Sequence, residues 1–341
     1  MTRPFTSALH SYVPIRLSIV EIPCLQFVVS NIYNFYHILP QSPTLLISFT
    51  TFCTPDNEIL KKQRLLLDRP YEIFLFTFVI LNCTNHRMSE NLKKEGKFSY
   101  LEIGEGTPII ILHGLMGGLS NFDGVANFFP PKGYKILIPE LPIYKMTLLR
   151  TNVKNFAKYV SQFIDHLGYK EVILLGNSLG GHIGLLCTKM YPEKVKALVI
   201  TGSSGLYESA MGESYPKRGD YEYIKQKAEN VFYDPAVATK EIVDDVYATV
   251  NDRHKLLRTL AIAKSAIRHN MAKDLPKMHT PTCIIWGRND NVTPPEVAIE
   301  FDELLPDSEL YWIDKCGHAA MMEHPDEFNE LLYSWLQKRG Y

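Results

Sequence analysis

The residues with the clearest chemical potential stand at one turn, around Ser178. Residues 172–181 read Val-Ile-Leu-Leu-Gly-Asn-Ser-Leu-Gly-Gly, an apolar run that ends in a small-x-Ser-x-small pentapeptide and continues into helix-favouring sequence. A serine can occupy so tight a strand-to-helix turn only when its neighbours are small, so Gly176 and Gly180 indicate a nucleophile elbow. We expect Ser178 to attack a carbonyl carbon.

A serine hydroxyl is a weak nucleophile at neutral pH, so Ser178 requires a general base, and that base requires an orienting acid. Asp290 follows a strand-like run that ends at Trp286, and His318 follows one that ends near Ile313. Open α/β sheets assemble their sites at the carboxyl ends of the strands. The sequence therefore predicts Asp290 as the acid and His318 as the base, in the chain order Ser, Asp, His.

Two other residues compete for these roles. His324 lies six residues after His318 but precedes a proline at a polar helix start, which favours a surface or capping role. Asp314 is closer to His318 in sequence than Asp290 is, but it lies on the wrong loop for an orienting partner. The prediction keeps His318 and Asp290.

Two backbone amides are candidates for stabilising the oxyanion that develops on the attacked carbonyl. The first is the N–H of Leu179, directly after the nucleophile and at a helix N-terminus. The second lies in the turn His-Gly-Leu-Met-Gly-Gly of residues 113–118, which follows a predicted strand. We expect Leu115 to supply it, with Met116 in reserve.

The elements that must position these residues form an alternating pattern from residue 96 onward. The predicted strands are Lys97–Ile103, Thr107–Leu112, Lys135–Pro139, Glu171–Leu175, Lys196–Thr201, Thr282–Trp286 and Glu309–Ile313. The predicted helices are Asn152–Leu167, Leu179–Met190, Pro295–Leu305 and Pro325–Lys338. This alternation predicts an α/β protein with a mostly parallel sheet flanked by helices. Charged, Tyr-rich helical sequence interrupts it at residues 206–275, which predicts an inserted helical cap between core segments 88–205 and 276–341.

The first 87 residues differ in composition from the rest. None of the 20 glycines of the chain lies there, and prolines interrupt every candidate element. We expect a non-domain extension, an upstream artefact of the gene model with Met88 as the real start; the alternative is a poorly ordered N-terminal arm. Its longest apolar stretch is too short to predict a membrane-spanning helix.

Composition narrows the classes of partner. A net charge of -1 over 341 residues provides no basic surface for nucleic acid, so a small-molecule substrate is expected. The six cysteines show neither the spacing of a zinc site nor that of a dense disulfide framework. We therefore expect a protein of the reducing cytoplasm without a bound metal. The proposed chemistry requires no cofactor, and the sequence sets no oligomeric state.

Residues 96–341 resemble the α/β-hydrolase superfamily, and within it the capped branch of meta-cleavage-product C–C hydrolases and related esterases. Gly-Asn-Ser-Leu-Gly-Gly, Trp-Gly-Arg-Asn-Asp, and Cys-Gly-His followed by Glu-His-Pro-Asp-Glu-Phe carry the resemblance. It implies that Asn121 and Asn177 shape the substrate end of the pocket. The glycine-rich oxyanion run is shorter here than is usual in that branch, and Ala319 stands where an aromatic is common.

The predicted function is therefore a serine hydrolase that acts on a small carboxylic ester through an acyl-enzyme-type intermediate. The alternative substrate is a 2-hydroxy-6-oxo-dienoate, a meta-cleavage product hydrolysed at a C–C bond. Arg268, at the end of the cap, is a candidate to face a carboxylate on the substrate. A hypothesis of another class is a non-catalytic ligand-binding protein on the same fold.

Overall fold

Two strands near the N-terminus form an antiparallel pair, β1 (Leu45–Thr51) with β2 (Leu60–Leu67). The computed structural model describes the backbone of this pair, and it describes residues 92–207 and 217–341 in full. Sequence patterns do not predict the pair, because this segment shows no sustained alternation of apolar and polar residues. The other expectations for residues 1–87 lie outside the described residues.

Eight further strands form one sheet within the residues that are described in full. They are β3 (Lys93–Glu95), β4 (Phe98–Ile103), β5 (Thr107–Leu112), β6 (Tyr134–Pro139), β7 (Val172–Asn177), β8 (Val195–Thr201), β9 (Thr282–Gly287) and β10 (Ser308–Ile313). Their order is β10-β9-β8-β7-β5-β6-β4-β3. The strands from β10 to β6 are parallel, and β4 and β3 are antiparallel additions at one edge. This confirms the predicted mostly parallel sheet.

Helices cover both faces of this sheet. In the described part of the chain the helices, including those of the insertion between β8 and β9, are α1 (Asp123–Phe128), α2 (Val153–His166), α3 (Leu179–Met190), α4 (Tyr221–Glu229), α5 (Lys240–Asn251), α6 (Arg253–Arg268), α7 (Pro295–Leu304), α8 (Ala320–Glu323) and α9 (Pro325–Arg339). Ile110 and Leu112 of β5 belong to a buried cluster with residues of α2, α3 and α7, whereas Ile109 and Ile111 belong to a second buried cluster with residues of α1 and α9. Both faces of the strand are therefore buried, as in other parallel sheets.

Local sequence sets the ends of these helices. The Asn152 side chain accepts a hydrogen bond from the Asn155 N–H at 2.9 Å and begins α2. Asp252 does the same at α6, where its carboxylate accepts from two backbone N–H groups. Gly340 ends α9 with a φ of 71°, a left-handed conformation that glycine adopts without a steric cost. The predicted helices in the core therefore differ from the observed ones by a residue at most at each end.

The stretch that we call the insertion, residues 206–275, separates β8 from β9. Its described part, which excludes residues 208–216, contains α4, α5 and α6. Sequence patterns predict helices here but not their bounds, and they miss the short helices α1 and α8. No helix in the described part of the chain is long and apolar enough to cross a membrane.

A buried histidine joins α3 to the end of the insertion. His182 is fully buried, and its Nε2–H donates to the His269 carbonyl at 2.9 Å. The other ring nitrogen, Nδ1, lies 3.5 Å from the Ser204 hydroxyl. Burial lowers the pKa of His182 to about 4, because the charged imidazolium would lose its hydration. The native structure therefore holds this imidazole neutral at pH 7.

We expect His182 to make the protein sensitive to acid. The unfolded chain binds a proton near pH 6.5 and the native state only near pH 4, so native stability falls as the pH drops through this window. The loss approaches about 3 kcal/mol by the relation between pKa shift and free energy. His182→Gln retains a donor for His269 and should flatten this dependence in urea unfolding between pH 7.5 and 4.5. Equal slopes for both proteins would contradict the assignment.

Candidate active site

The turn at Ser178 has the backbone of a nucleophile elbow. Ser178 adopts φ 55° and ψ -120° between the end of β7 and the start of α3. A Cβ on Gly176 would lie 2.4 Å from the Gly180 carbonyl oxygen, and one on Gly180 would lie 1.9 Å from the Leu112 oxygen. Real Cβ atoms do not approach so closely, so this turn requires glycine at both positions. The small residues that flag the motif in the sequence are thus explained by backbone contact.

The glycine-rich turn of residues 113–118 lies directly beside the serine. A Cβ on Gly114 would be 3.4 Å from the Ser178 Cβ. His113 is buried and holds the turn, since its Nε2 accepts from the Leu141 N–H at 3.3 Å and its Nδ1 contacts the Gly114 carbonyl at 2.9 Å. Burial also lowers the pKa of His113. The turn therefore lies beside Ser178, and its role as an oxyanion loop stays a prediction.

The second component of the site is a buried pair formed by His318 and Asp290. The histidine Nδ1 lies 2.9 Å from the Asp290 Oδ2, and the two residues are 7% and 2% exposed. The other carboxylate oxygen, Oδ1, accepts from the backbone N–H groups of Val292 and Thr293 at 2.8 and 2.9 Å. These two bonds fix the carboxylate, so it can set the tautomer and direction of the imidazole.

The end of β8 joins this pair to the elbow. The Ser178 N–H donates to the Thr201 carbonyl at 3.1 Å. The next residue, Gly202, has a φ of 52°, and a Cβ on it would lie 2.8 Å from the His318 Nδ1 and 3.0 Å from its Cε1. The imidazole therefore packs on the Gly202 backbone, one residue from the partner of Ser178. The structure thus pairs His318 with Asp290 and connects this pair to the Ser178 backbone through residues 201 and 202, and the catalytic roles of the three residues stay predictions.

The two predicted substrate asparagines have backbone partners in this structure. The Asn177 side-chain amide donates to the carbonyls of Thr201 and His318, at 3.0 and 3.1 Å. The Asn121 Oδ1 accepts from the Gly118 N–H at 3.3 Å. Both side chains therefore hold the loops of the site in place, and a direct contact with substrate stays a prediction.

The competing residues lie elsewhere. The His324 Nε2 donates to the Lys315 carbonyl at 3.0 Å, and the side chain of Asp314 is 81% exposed and pairs with Arg288. Arg268 is exposed at the end of α6, and no hydrogen bond or ion pair joins it to the described residues of the site. Its role towards a substrate carboxylate stays a prediction.

Sequence reasoning misses one residue of the buried pair's environment, Thr293. Its hydroxyl donates to the Gly202 carbonyl at 3.0 Å and lies 3.1 Å from the His318 Nδ1 and 3.4 Å from the Asp290 Oδ2. A threonine three residues after an aspartate is a local turn signal, because the aspartate can accept from its N–H. That signal could have placed Thr293 beside Asp290.

Sequence reasoning also leaves Glu323 without a role. Its carboxylate accepts from the N–H of Gly317, the residue directly before His318, at 2.8 Å.

Among the described residues, no group of three or more His, Cys, Asp or Glu side chains is placed to hold a metal ion.

Comparison with known proteins relates this geometry to characterised families. The family model of the alpha/beta hydrolase fold matches residues 107–260 and 238–325. The chain is 27% identical over 262 residues to 2-hydroxy-6-oxononadienedioate/2-hydroxy-6-oxononatrienedioate hydrolase of Pseudomonas sp, covering 71% of this chain and 93% of the relative. It is 25% identical over 256 residues to 2-hydroxy-6-oxo-6-phenylhexa-2,4-dienoate hydrolase of Burkholderia cepacia, covering 69% and 89%.

A solved structure is more similar still. MGS-MChE2, an alpha/beta hydrolase enzyme from the metagenome of sediments from the lagoon of Mar Chica, Morocco, shares 66% sequence identity with this chain. The match covers 73% of this chain and 99% of the other, with a TM-score of 0.62. These relatives are hydrolases, which argues against a binding protein without activity. The chain is therefore an enzyme that belongs to the alpha/beta hydrolase fold family.

Proposed function

We propose that this enzyme hydrolyses a carbon–carbon bond of a 2-hydroxy-6-oxo-dienoate, with Ser178 as nucleophile, His318 as base and Asp290 as orienting acid. The observation that carries the proposal is the buried 2.9 Å contact between His318 and Asp290. The imidazole of this pair packs on Gly202, the residue after the backbone partner of Ser178. The names of the curated relatives support this substrate class over the small ester that the sequence favours.

The buried pair provides the base. With Nδ1–H donated to Asp290, the Nε2 of His318 carries the lone pair and can remove the proton of the Ser178 hydroxyl. The Asp290 carboxylate then stabilises the imidazolium that forms. Because its other oxygen is fixed by two backbone N–H groups, the carboxylate requires no reorganisation during the reaction.

The carbonyl oxygen of the substrate becomes an oxyanion when Ser178 attacks. We assign its stabilisation to the amides of Leu179 and Leu115. The Leu179 N–H belongs to the first turn of α3, where the helix dipole favours negative charge. Leu115 follows Gly114, which lies against the Ser178 side chain.

A vinylogous keto acid can undergo this chemistry at a C–C bond. The Ser178 oxygen forms a bond to the ketone carbon, and the oxyanion then collapses as the adjacent C–C bond breaks. The bond breaks in the keto tautomer of the substrate, in which the proton of the 2-hydroxyl group has moved to the carbon next to the ketone. The electron pair of the bond then passes into the conjugated 2-oxo-enoate and gives a dienolate, whose oxygen takes the proton from the His318 imidazolium. Water, deprotonated by His318, then attacks the acyl ester and releases the acid and Ser178.

Substrate selection falls to the residues around this site. We propose that the insertion acts as a cap over the site, and that Asn121, Asn177 and Arg268 contribute to the end that accepts the substrate carboxylate. Segment 231–234 of the insertion supports this, because its Val231 carbonyl accepts from the His318 N–H at 2.9 Å. The insertion thus borders the base itself.

Ester hydrolysis is the second candidate function. The same attack and oxyanion stabilisation cleave an ester, whose alkoxide leaving group takes the proton from His318. The observation in its favour is Ala319, which follows the base and leaves a small side chain where the C–C hydrolase branch commonly has an aromatic.

A paired assay separates the two candidates. The full-length protein is given 2-hydroxy-6-oxo-6-phenylhexa-2,4-dienoate and a series of short-chain nitrophenyl esters, and kcat/KM is measured for each. We expect kcat/KM for the dienoate to exceed that for the esters by about two orders of magnitude, a difference of about 3 kcal/mol in transition-state binding. Faster turnover of the esters would overturn the C–C assignment and leave an esterase.

Replacement of the nucleophile tests the role of Ser178. Ser178→Ala removes the attacking oxygen but keeps a side chain of similar size at the strained φ. We expect kcat to fall by about four orders of magnitude or more, with a nearly unchanged Tm, because the loss is confined to the reacting atom. Retained turnover would reject Ser178, and loss of folding would make the residue structural.

Replacement of the acid tests the tautomer argument. Asp290→Asn places an amide group where one carboxylate oxygen accepts hydrogen bonds, so His318 loses its oriented Nδ1–H acceptor or the backbone N–H groups lose theirs. We expect kcat to fall by about 10³ to 10⁴. Asp314→Asn, on the neighbouring loop, is the matched control and should retain activity. Equal effects of the two variants would contradict the assignment.

A further inference from the structure

The carboxylate of Glu323 accepts hydrogen bonds from two segments that are distant in sequence and that both lie next to His318, the proposed base. Glu323 is the last residue of α8, five positions after His318. Its Oε1 accepts from the Gly317 N–H at 2.8 Å. Its Oε2 accepts from the N–H groups of Tyr233 and Asp234, at 2.7 and 3.3 Å. The first donor belongs to the loop that carries His318, residues 314–319, which we call the histidine loop. The other two belong to the insertion.

We call residues 231–234 the strap, since they run along the histidine loop. A Cβ on Gly317 would lie 2.6 Å from the Val231 oxygen and 2.8 Å from the Tyr233 nitrogen, so the two backbones are in direct contact. The His318 N–H donates to the Val231 carbonyl at 2.9 Å. Phe232 anchors the strap in the buried cluster that includes Cys316 and Ala319.

The other side of the histidine loop is equally close to the sheet. A Cβ on Gly287, at the end of β9, would lie 2.2 Å from the Gly317 oxygen and 2.4 Å from the Cys316 oxygen. The loop is therefore held between β9 and the strap. A displacement of the strap leaves the loop without its support on one side, and His318 is the next residue after Gly317.

Glu323 is matched to this place by its two acceptor oxygens. Partial burial raises the pKa of its carboxyl, while the three backbone donors and nearby His324 act in the opposite direction. The Cys316 thiol also lies 4.0 Å from Oε1. A glutamine side chain has one acceptor oxygen and one amide NH2 group. It would accept from the backbone N–H of one segment and would present its own N–H groups to the N–H donors of the other.

We propose that Glu323 is a positioning residue for His318, and that through the strap it couples the location of the insertion to the location of the base. The proposal rests on the proposed role of His318. The carboxylate holds Gly317 and the strap in one arrangement, in which the imidazole keeps its contact with Asp290. Small displacements of a catalytic group lower the rate steeply.

The test uses full-length Glu323→Gln, Glu323→Ala and Glu323→Asp, with exposed Glu327→Gln as the matched control. We expect Glu323→Gln to lower kcat by about tenfold to a hundredfold, with a smaller change in KM. Glu323→Asp keeps both acceptor oxygens and should recover part of the loss, whereas Glu327→Gln should resemble the wild type. A loss in Glu323→Gln no larger than in Glu327→Gln would overturn the proposal.

A spectroscopic readout separates positioning from simple destabilisation. The Nδ1–H proton of His318, donated to Asp290, should give a downfield NMR resonance that disappears in His318→Gln. We expect this resonance to shift or broaden in Glu323→Gln and to persist in Glu323→Asp, at temperatures well below the Tm of each variant. An unchanged resonance in Glu323→Gln would overturn the proposal. Since this signal needs no turnover, it tests Glu323 even if Ser178→Ala shows that the proposed reaction is wrong.

Discussion

The close approach of two backbones at the elbow is the constraint on which the rest of the site depends. The Leu112 carbonyl at the end of β5 occupies the space that a Gly180 side chain would need, 1.9 Å from its virtual Cβ. Because β5 and β7 are paired neighbours, this contact brings the turn after β5 beside the turn after β7. Gly114 thereby lies against Ser178, so strand pairing places the proposed oxyanion loop and the His113 side chain then holds it.

Most of the other contacts that hold the site together are also made to backbone atoms. Asn177 binds the carbonyls of Thr201 and His318, and Glu323 binds amides of the histidine loop and the strap. The imidazole of His318 packs on the backbone of Gly202. Backbone partners are the same whatever the side chains of those segments are. This is consistent with a shared fold at 27% sequence identity to the curated Pseudomonas relative.

Sequence reasoning recovers the parts of the site that have a local pattern. The elbow, the strand-end positions of Asp290 and His318, and the parallel sheet follow from small residues, apolar runs and their order. Gly202 and Glu323 do not, because their roles arise from contacts with residues distant in sequence. The short helix α1 escapes prediction because six residues show too little periodicity to be recognised.

The separation between chemistry and substrate choice follows from this architecture. His318, Asp290 and the elbow lie at the carboxyl ends of strands of the sheet, and in the proposed mechanism the same attack serves an ester or a vinylogous ketone. A preference between these substrates must therefore come from protein groups that contact parts of the substrate other than the reacting carbonyl. The insertion is suited to this, because the strap that belongs to it also contacts the loop of the proposed base, His318. With the insertion as the proposed cap, a change in it alters both the shape of the pocket and the alignment of His318, so specificity and rate are expected to change together.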